Sequence, residues 1–97
     1  ASDVYKRQGR DSPDLFKFKL TRERRAFLDV TNSELISSRY IRGSLLDDRK
    51  RTLKTTDKAR APLGTEDISL KLKAGTYYVK ISTDGKKIFY RFKLSID

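Results

Sequence analysis

The chain has 97 residues, of which 23 are Lys or Arg and 13 are Asp or Glu, giving a formal net charge of +10 at pH 7. This length makes one domain with a modest core, and the regular placement of its apolar residues is not typical of a disordered chain. His, Cys, Met and Trp are absent, which excludes disulfides, zinc sites built on Cys or His, haem ligation by His, and catalytic triads with an imidazole base. No apolar run reaches the length of about 18 residues that a membrane-spanning helix needs, so no membrane span is predicted.

The first eight residues show no hydrophobic period. Residues 3–8, Asp-Val-Tyr-Lys-Arg-Gln, resemble the translated end of a transposon-based sequencing adapter, a string that occurs at the ends of metagenomic open reading frames. We therefore predict that residues 1–8 are a non-native leader and that residues 9–97 form a single β-sandwich domain.

The first half of this domain contains alternating segments. Residues 16–20 alternate Phe, Phe and Leu with lysines, which predicts a strand with one buried face, and residues 26–30 repeat the period. The Thr-Asn-Ser cluster at 31–33 ends the second strand. A third strand is predicted over residues 38–46, in which Gly43 indicates a bulge or a close approach of the backbone.

The second half continues the pattern with turns between strands. Residues 47–50 form a charged turn, residues 56–65 a long polar loop, Ala74-Gly75 a tight turn, and Asp84-Gly85 a hairpin turn. Strands are predicted between these turns at residues 51–55, 68–72, 77–81 and 90–96.

Seven or eight short alternating strands with turns between them predict an all-β fold, a jelly-roll-like antiparallel β-sandwich. Only residues 33–38 have room for a turn of helix. One face of each sheet would pack inward and the other would face water.

Four segments of the domain form a recognisable series. Residues 70–81 read Leu-Lys-Leu-Lys-Ala-Gly-Thr-Tyr-Tyr-Val-Lys-Ile, and residues 90–94 read Tyr-Arg-Phe-Lys-Leu. Upstream, residues 14–18 read Asp-Leu-Phe-Lys-Phe and residues 45–47 read Leu-Leu-Asp. This series, spread over most of residues 11–97, resembles the bacterial pre-peptidase C-terminal domain.

The resemblance implies a β-sandwich in a secreted or cell-surface bacterial protein, following a partner domain, often a peptidase, in the same chain. Such domains assist secretion, adhesion or substrate binding, so the implied ligand is a polysaccharide or a protein. Some relatives bind collagen, and some bind calcium near the start of the domain.

A calcium ion needs six to eight oxygen ligands, several of them carboxylates. Asp11 and Asp14 form the best local cluster, and the pairs Asp47-Asp48 and Glu66-Asp67 are further candidates. Capping and turn roles suit these carboxylates equally well. The prediction is therefore a protein without a cofactor, with calcium at Asp11 and Asp14 as the alternative.

A basic sheet surface is the second candidate site. If the apolar positions of the strands point inward, pleating sends the alternate residues outward. Cations mixed with aromatic rings could bind phosphates or sulfates, whereas lysines on strands also keep a sheet soluble and block edge pairing. The predicted polyanion-binding residues are Lys17, Lys19, Lys71, Tyr78, Lys80, Phe89, Arg91 and Lys93.

Catalysis has little support in the sequence. Without His or Cys, a nucleophile would need a Lys or carboxylate base, and no such pair is evident. We therefore predict a non-catalytic accessory module that mediates adhesion, substrate binding or export. The alternative is a polyanion-binding module for acidic polysaccharide or, less favoured, nucleic acid, because no Gly-Phe-Gly/Ala-Phe RNA-binding signature occurs.

Overall fold

The computed structural model describes residues 3–9, 14–35, 39–84 and 88–97, with side chains from residue 15 onward. Nine strands account for most of these residues, and no helix long and apolar enough to cross a membrane occurs among them. The strands are β1 (Asp3–Gly9), β2 (Asp14–Leu20), β3 (Arg24–Asn32), β4 (Tyr40–Leu46), β5 (Thr52–Thr55), β6 (Ala59–Arg60), β7 (Thr65–Leu72), β8 (Gly75–Thr83) and β9 (Tyr90–Ile96).

The strands form two antiparallel sheets. One sheet has the order β1-β9-β3-β7, and the other has the order β2-β8-β4-β5, with the two-residue β6 added to β4. The pairs β1·β9, β2·β8, β3·β7 and β4·β5 are nested, as expected when one long antiparallel hairpin is rolled into a sandwich. This is a jelly-roll arrangement, so the predicted fold class is confirmed.

The core lies between the sheets, and the predicted alternation sets which side chains enter it. Every second residue of β9 from Tyr90 to Ile96 is buried, as is every second residue of β3 from Ala26 to Asn32. Phe16 of one sheet meets Phe92 of the other edge to face, with ring centroids 5.8 Å apart. The inward positions predicted for these strands are therefore confirmed.

Some local predictions need correction or fall outside the described residues. The long loop predicted over residues 56–65 is interrupted by β6, whose Ala59 is buried and pairs with Ile41 of β4. Residues 3–9 form the edge strand β1 beside β9, although the origin of residues 1–8 stays a prediction. The centre of the predicted helical turn and Gly85 of the predicted hairpin turn lie outside the described residues.

The charged turn predicted at residues 47–50 is organised by the Asp47 carboxylate. Its Oδ1 atom accepts hydrogen bonds from the backbone N–H groups of Arg49 and Arg51 at 2.9 and 2.8 Å, and its Oδ2 accepts from Arg51 Nε at 2.9 Å. The Arg51 backbone N–H, helped by its guanidinium, lowers the pKa of Asp47. This bonding lets Lys50 take a left-handed backbone conformation with φ of 63°.

We expect the Asp47→Asn variant to be less stable than the parent at neutral pH, because the charged acceptor is lost. A lowered folded-state pKa gives stability that is present above the ordinary aspartate value of 3.8 and is lost as pH falls through the folded-state pKa. The difference in urea midpoint between parent and variant should therefore shrink in acid. A difference that stays constant between neutral pH and strongly acid pH would contradict this account.

Candidate functional site

The eight predicted polyanion-binding residues do not share one surface. Lys17, Lys19, Tyr78 and Lys80 occupy β2 and β8 and lie on the outer face of the five-stranded sheet. The other four belong to the four-stranded sheet or to its entry, at Lys71, Phe89, Arg91 and Lys93. Alternation correctly indicates an outward side chain, but it carries no information about which of two sheets a strand joins.

The outer face of the four-stranded sheet has mixed charge. Lys93 lies opposite Asp29, which in turn lies opposite Asp67 on β7. Lys71 Nζ forms an ion pair with Glu23 Oε1 at 3.7 Å. Cations alternating with carboxylates in this way keep a sheet surface soluble and give it little net attraction for a polyanion.

The outer face of the five-stranded sheet has the opposite character. Lys17 lies opposite Tyr78, and Lys80 lies opposite Ser44. Arg42 is two residues before Ser44 on β4, so its side chain lies on the same face of the sheet. Among the described side chains, the outward positions of β2, β8, β4 and β5 include no Asp or Glu. We call this surface, defined by Lys17, Lys19, Tyr78, Lys80 and Arg42, the basic face.

Cations also converge on a tyrosine at one end of the basic face. Tyr40 begins β4 and pairs with Arg60 of β6. Its ring centroid lies 4.7 Å from Lys58 Nζ, 5.8 Å from Arg60 Cζ and 5.9 Å from Arg42 Cζ. We call these four residues the Tyr40 cluster. Sequence reasoning missed it because residues 56–65 were expected to form a loop, although the Lys58-Ala59-Arg60 alternation was a signal for a short strand.

The Asn32 side chain holds the same end of the sandwich together from inside. This buried residue ends β3, and its Nδ2 donates to the backbone carbonyls of Ala59 at 3.1 Å and Arg39 at 3.3 Å. Its Oδ1 accepts from the Glu34 N–H at 2.9 Å. One amide thus links β3 to the segments before β4 and within β6, and fixes the backbone on which the Tyr40 cluster stands.

A cleft of about 430 Å³ opens at this end, beside the start of β9. Its walls carry two exposed apolar side chains, Phe89 at 56% and Leu63 at 57% exposure, with Ser33, Tyr90 and Arg91 supplying the rest. The Ser33 N–H donates to the Phe89 carbonyl at 2.9 Å, and the Phe89 N–H donates to Glu34 Oε2 at 3.1 Å. These two bonds hold the Phe89 backbone at the cleft.

The cleft also contains a buried hydroxyl. Ser33 Oγ has no hydrogen-bond partner among the described residues. The Ser33 oxygen itself is shielded from solvent, so the groups that the cleft offers to a polar ligand with an apolar face are the aromatic ring and the arginine. Of the predicted polyanion-binding residues, Phe89 and Arg91 are the two that meet here.

The predicted calcium site stays a prediction. Asp11 and the Asp14 side chain lie outside the described residues, although the Asp14 backbone begins β2. No group of three carboxylates that could hold a metal ion occurs in the part of the chain that the structure describes. Of the other candidates, Asp47 accepts hydrogen bonds within its own turn through both carboxylate oxygens.

The strand order and pairing define an antiparallel jelly-roll sandwich, a fold that solved structures share. The pre-peptidase C-terminal domain of collagenase from Bacillus anthracis is similar over 99% of this chain and 89% of its own, with TM-score 0.66 and 15% identity. The propeptide form of Bacillus licheniformis lipase BlEst2 is similar over 99% of this chain, which spans 22% of the lipase chain, with TM-score 0.67 and 20% identity. CBM35 from Cellvibrio japonicus Abf62 is similar over 92% of this chain and 67% of its own, with TM-score 0.57 and 17% identity.

These likenesses concern the fold. No family model matches the chain, and no curated protein matches it. The resemblance to the pre-peptidase C-terminal domain is nevertheless confirmed at the level of structure, since such a domain is similar over almost the whole chain. Because one fold hosts many functions, the function of this chain depends on its own surface residues.

Proposed function

We propose that this domain is a non-catalytic binding module of a secreted or cell-surface bacterial protein, and that it engages a polysaccharide or protein ligand at the end cleft. It would act beside a partner domain of the same chain, in adhesion, substrate binding or export. The similarity to a collagenase's pre-peptidase C-terminal domain and to CBM35 supports this role.

The observation that carries the proposal is the exposed Phe89 ring at the mouth of the cleft. A large ring left 56% exposed costs favourable burial, and here its backbone is held on both sides by hydrogen bonds to Ser33 and Glu34. A ring whose backbone is already held beside Arg91 has less conformational entropy to lose when a sugar or a peptide packs on it. Such preorganised aromatics are common anchors of binding sites.

The Phe89→Ala variant is expected to lose binding by about tenfold or more, since an aromatic anchor typically contributes about 2 kcal/mol. The measurement is retention on a panel of insoluble polysaccharides and fibrillar collagen, followed by titration with the ligand that retains the parent. Phe27→Ala is the matched control because Phe27 is also exposed, at 36%, but lies on the outer face of the four-stranded sheet.

Equal losses in the two variants would contradict a site at the cleft. A parent protein that no member of the panel retains would contradict the proposed function itself. Thermal unfolding of both variants should match the parent closely, since each replaced side chain is largely outside the core.

The second candidate function is polyanion binding. The observation that favours it is the basic face, on which cations from three strands stand together and the described outward positions include no carboxylate. Such a surface attracts polyanions over several ångströms, and the attraction weakens as salt is added.

A further inference from the structure

We propose that the Tyr40 cluster is a specific site for a sulfated or carboxylated polysaccharide. The site deepens the second candidate function, polyanion binding, and rests on it, while it is independent of the end cleft. An anionic group of the ligand would sit among Lys58, Arg60 and Arg42, which Tyr40 holds in place.

No ion pair among the described side chains engages the three cations of the cluster. The ion pairs among the described residues join Arg39 to Glu34, Arg51 to Asp47 and Lys71 to Glu23. None of them reaches Lys58, Arg60 or Arg42. The neighbouring Asp57 is exposed and does not pair with these cations.

Three like charges around one ring repel one another. The ring attracts the cations placed over it, which offsets part of that repulsion. An anion bound between the cations turns the repulsion into attraction, so the arrangement is better suited to the bound state than to the free one.

The cluster is also preorganised. Arg60 is paired with Tyr40 in the sheet, and the adjacent Ala59 is buried with its carbonyl bonded to Asn32. After β6 the chain turns back, and Gly64 N–H donates to the Arg60 carbonyl at 2.8 Å. A Cβ on Gly64 would lie 2.2 Å from that carbonyl oxygen, so this tight turn requires glycine. The backbone that presents these cations is therefore fixed before a ligand binds.

The rings of this surface favour a polysaccharide over a nucleic acid. Single-stranded nucleic acids are bound by open aromatic faces on which successive bases stack. Here the Tyr40 ring is occupied by three cations, and Lys50 Nζ lies 5.4 Å from the centroid of the Tyr78 ring. The surface offers point charges without free stacking platforms, which suits a chain of sulfates or carboxylates.

The test compares two neutralised variants with matched loss of charge. In Lys58→Gln/Arg60→Gln the change falls on the Tyr40 cluster, and in Lys17→Gln/Lys19→Gln it falls on the far end of the same face. Binding of size-defined heparin fragments is titrated at several salt concentrations, with urea unfolding as a check on folding. We expect the cluster variant to lose about tenfold or more in affinity and about two in the slope of log K against log salt, and the control to lose much less.

Each other outcome is informative. If both variants lose affinity equally, binding follows overall charge and the Tyr40 cluster is not the site, while polyanion binding survives. If the parent does not bind heparin, both the site and the second candidate function fail. If single-stranded DNA of matched charge binds the parent as tightly as heparin at equal salt, the assignment to a polysaccharide is overturned. If the cluster variant unfolds, Arg42→Gln replaces it, because Arg42 is exposed and makes no backbone contact in β6.

Discussion

Replacing Asn32 with Ala is expected to lower the free energy of unfolding by about 2–5 kcal/mol. The substitution removes three hydrogen bonds of a fully buried side chain. The Glu34 N–H loses its acceptor and the Ala59 carbonyl loses the Asn32 donor, whereas the Arg39 carbonyl keeps its bond from the Ala61 N–H at 2.9 Å. An unsatisfied buried polar group costs about 1–3 kcal/mol. Water that reaches the half-buried Arg39 segment replaces part of the lost hydrogen bonding. The total loss in free energy of unfolding is therefore expected to stay below the cost of three unsatisfied buried groups.

The measurement is urea unfolding, with Thr31→Ala as the adjacent control. Thr31 precedes Asn32 in β3, but its hydroxyl bonds the Thr65 hydroxyl at 3.1 Å in an exposed position, so its loss should cost less than about 1 kcal/mol. Asn32→Asp provides a second check, since it keeps the acceptor for Glu34 but turns an oxygen toward two carbonyls. Parental stability in Asn32→Asp would refute the assigned hydrogen bonds.

The role of Asn32 shows what the sequence could not predict. Its position in a Thr-Asn-Ser cluster correctly indicated the end of a strand. Two of its partners, however, lie 7 and 27 residues away, and no local pattern indicates that these segments meet Asn32. Period-two alternation reports which side of a strand is buried, and so it predicted the strands and the core well. It is silent on pairings between distant segments, which is why β6 was missed.

The candidate surfaces were likewise predictable only in the features that local alternation determines. Lys17, Lys19 and Lys80 were predicted to face outward and they do, because alternation is a local property. Their separation from Lys93 depends on the nested pairing of the jelly roll, which places β2 and β8 in one sheet and β9 in the other. The Tyr40 cluster joins residues 40, 42, 58 and 60 through β6, so it became visible only with the strand pairing.

Replacing Gly43 with Val is expected to destabilise the sandwich by about 3 kcal/mol or more, and Gly43→Ala by about 1–3 kcal/mol. A Cβ at this position of β4 would lie 2.6 Å from Val30 Cγ1 and 3.0 Å from Leu28 Cδ2, both on the facing sheet. Leu28 and Val30 are fully buried, so neither can move aside without shifting the core. The close approach that Gly43 indicated in the sequence is thus a contact between sheets.

Gly43→Ala combined with Val30→Ala separates this clash from a general intolerance of β4. Removing the Val30 methyl groups makes room for the new Cβ, so the double variant should be more stable than the sum of the two single losses predicts. Val30→Ala alone leaves a cavity and is expected to cost about 1–3 kcal/mol. Urea unfolding of the four proteins measures the coupling. Strictly additive losses would mean that the two sheets separate locally at Gly43. That result would contradict the close contact between Gly43 and Val30.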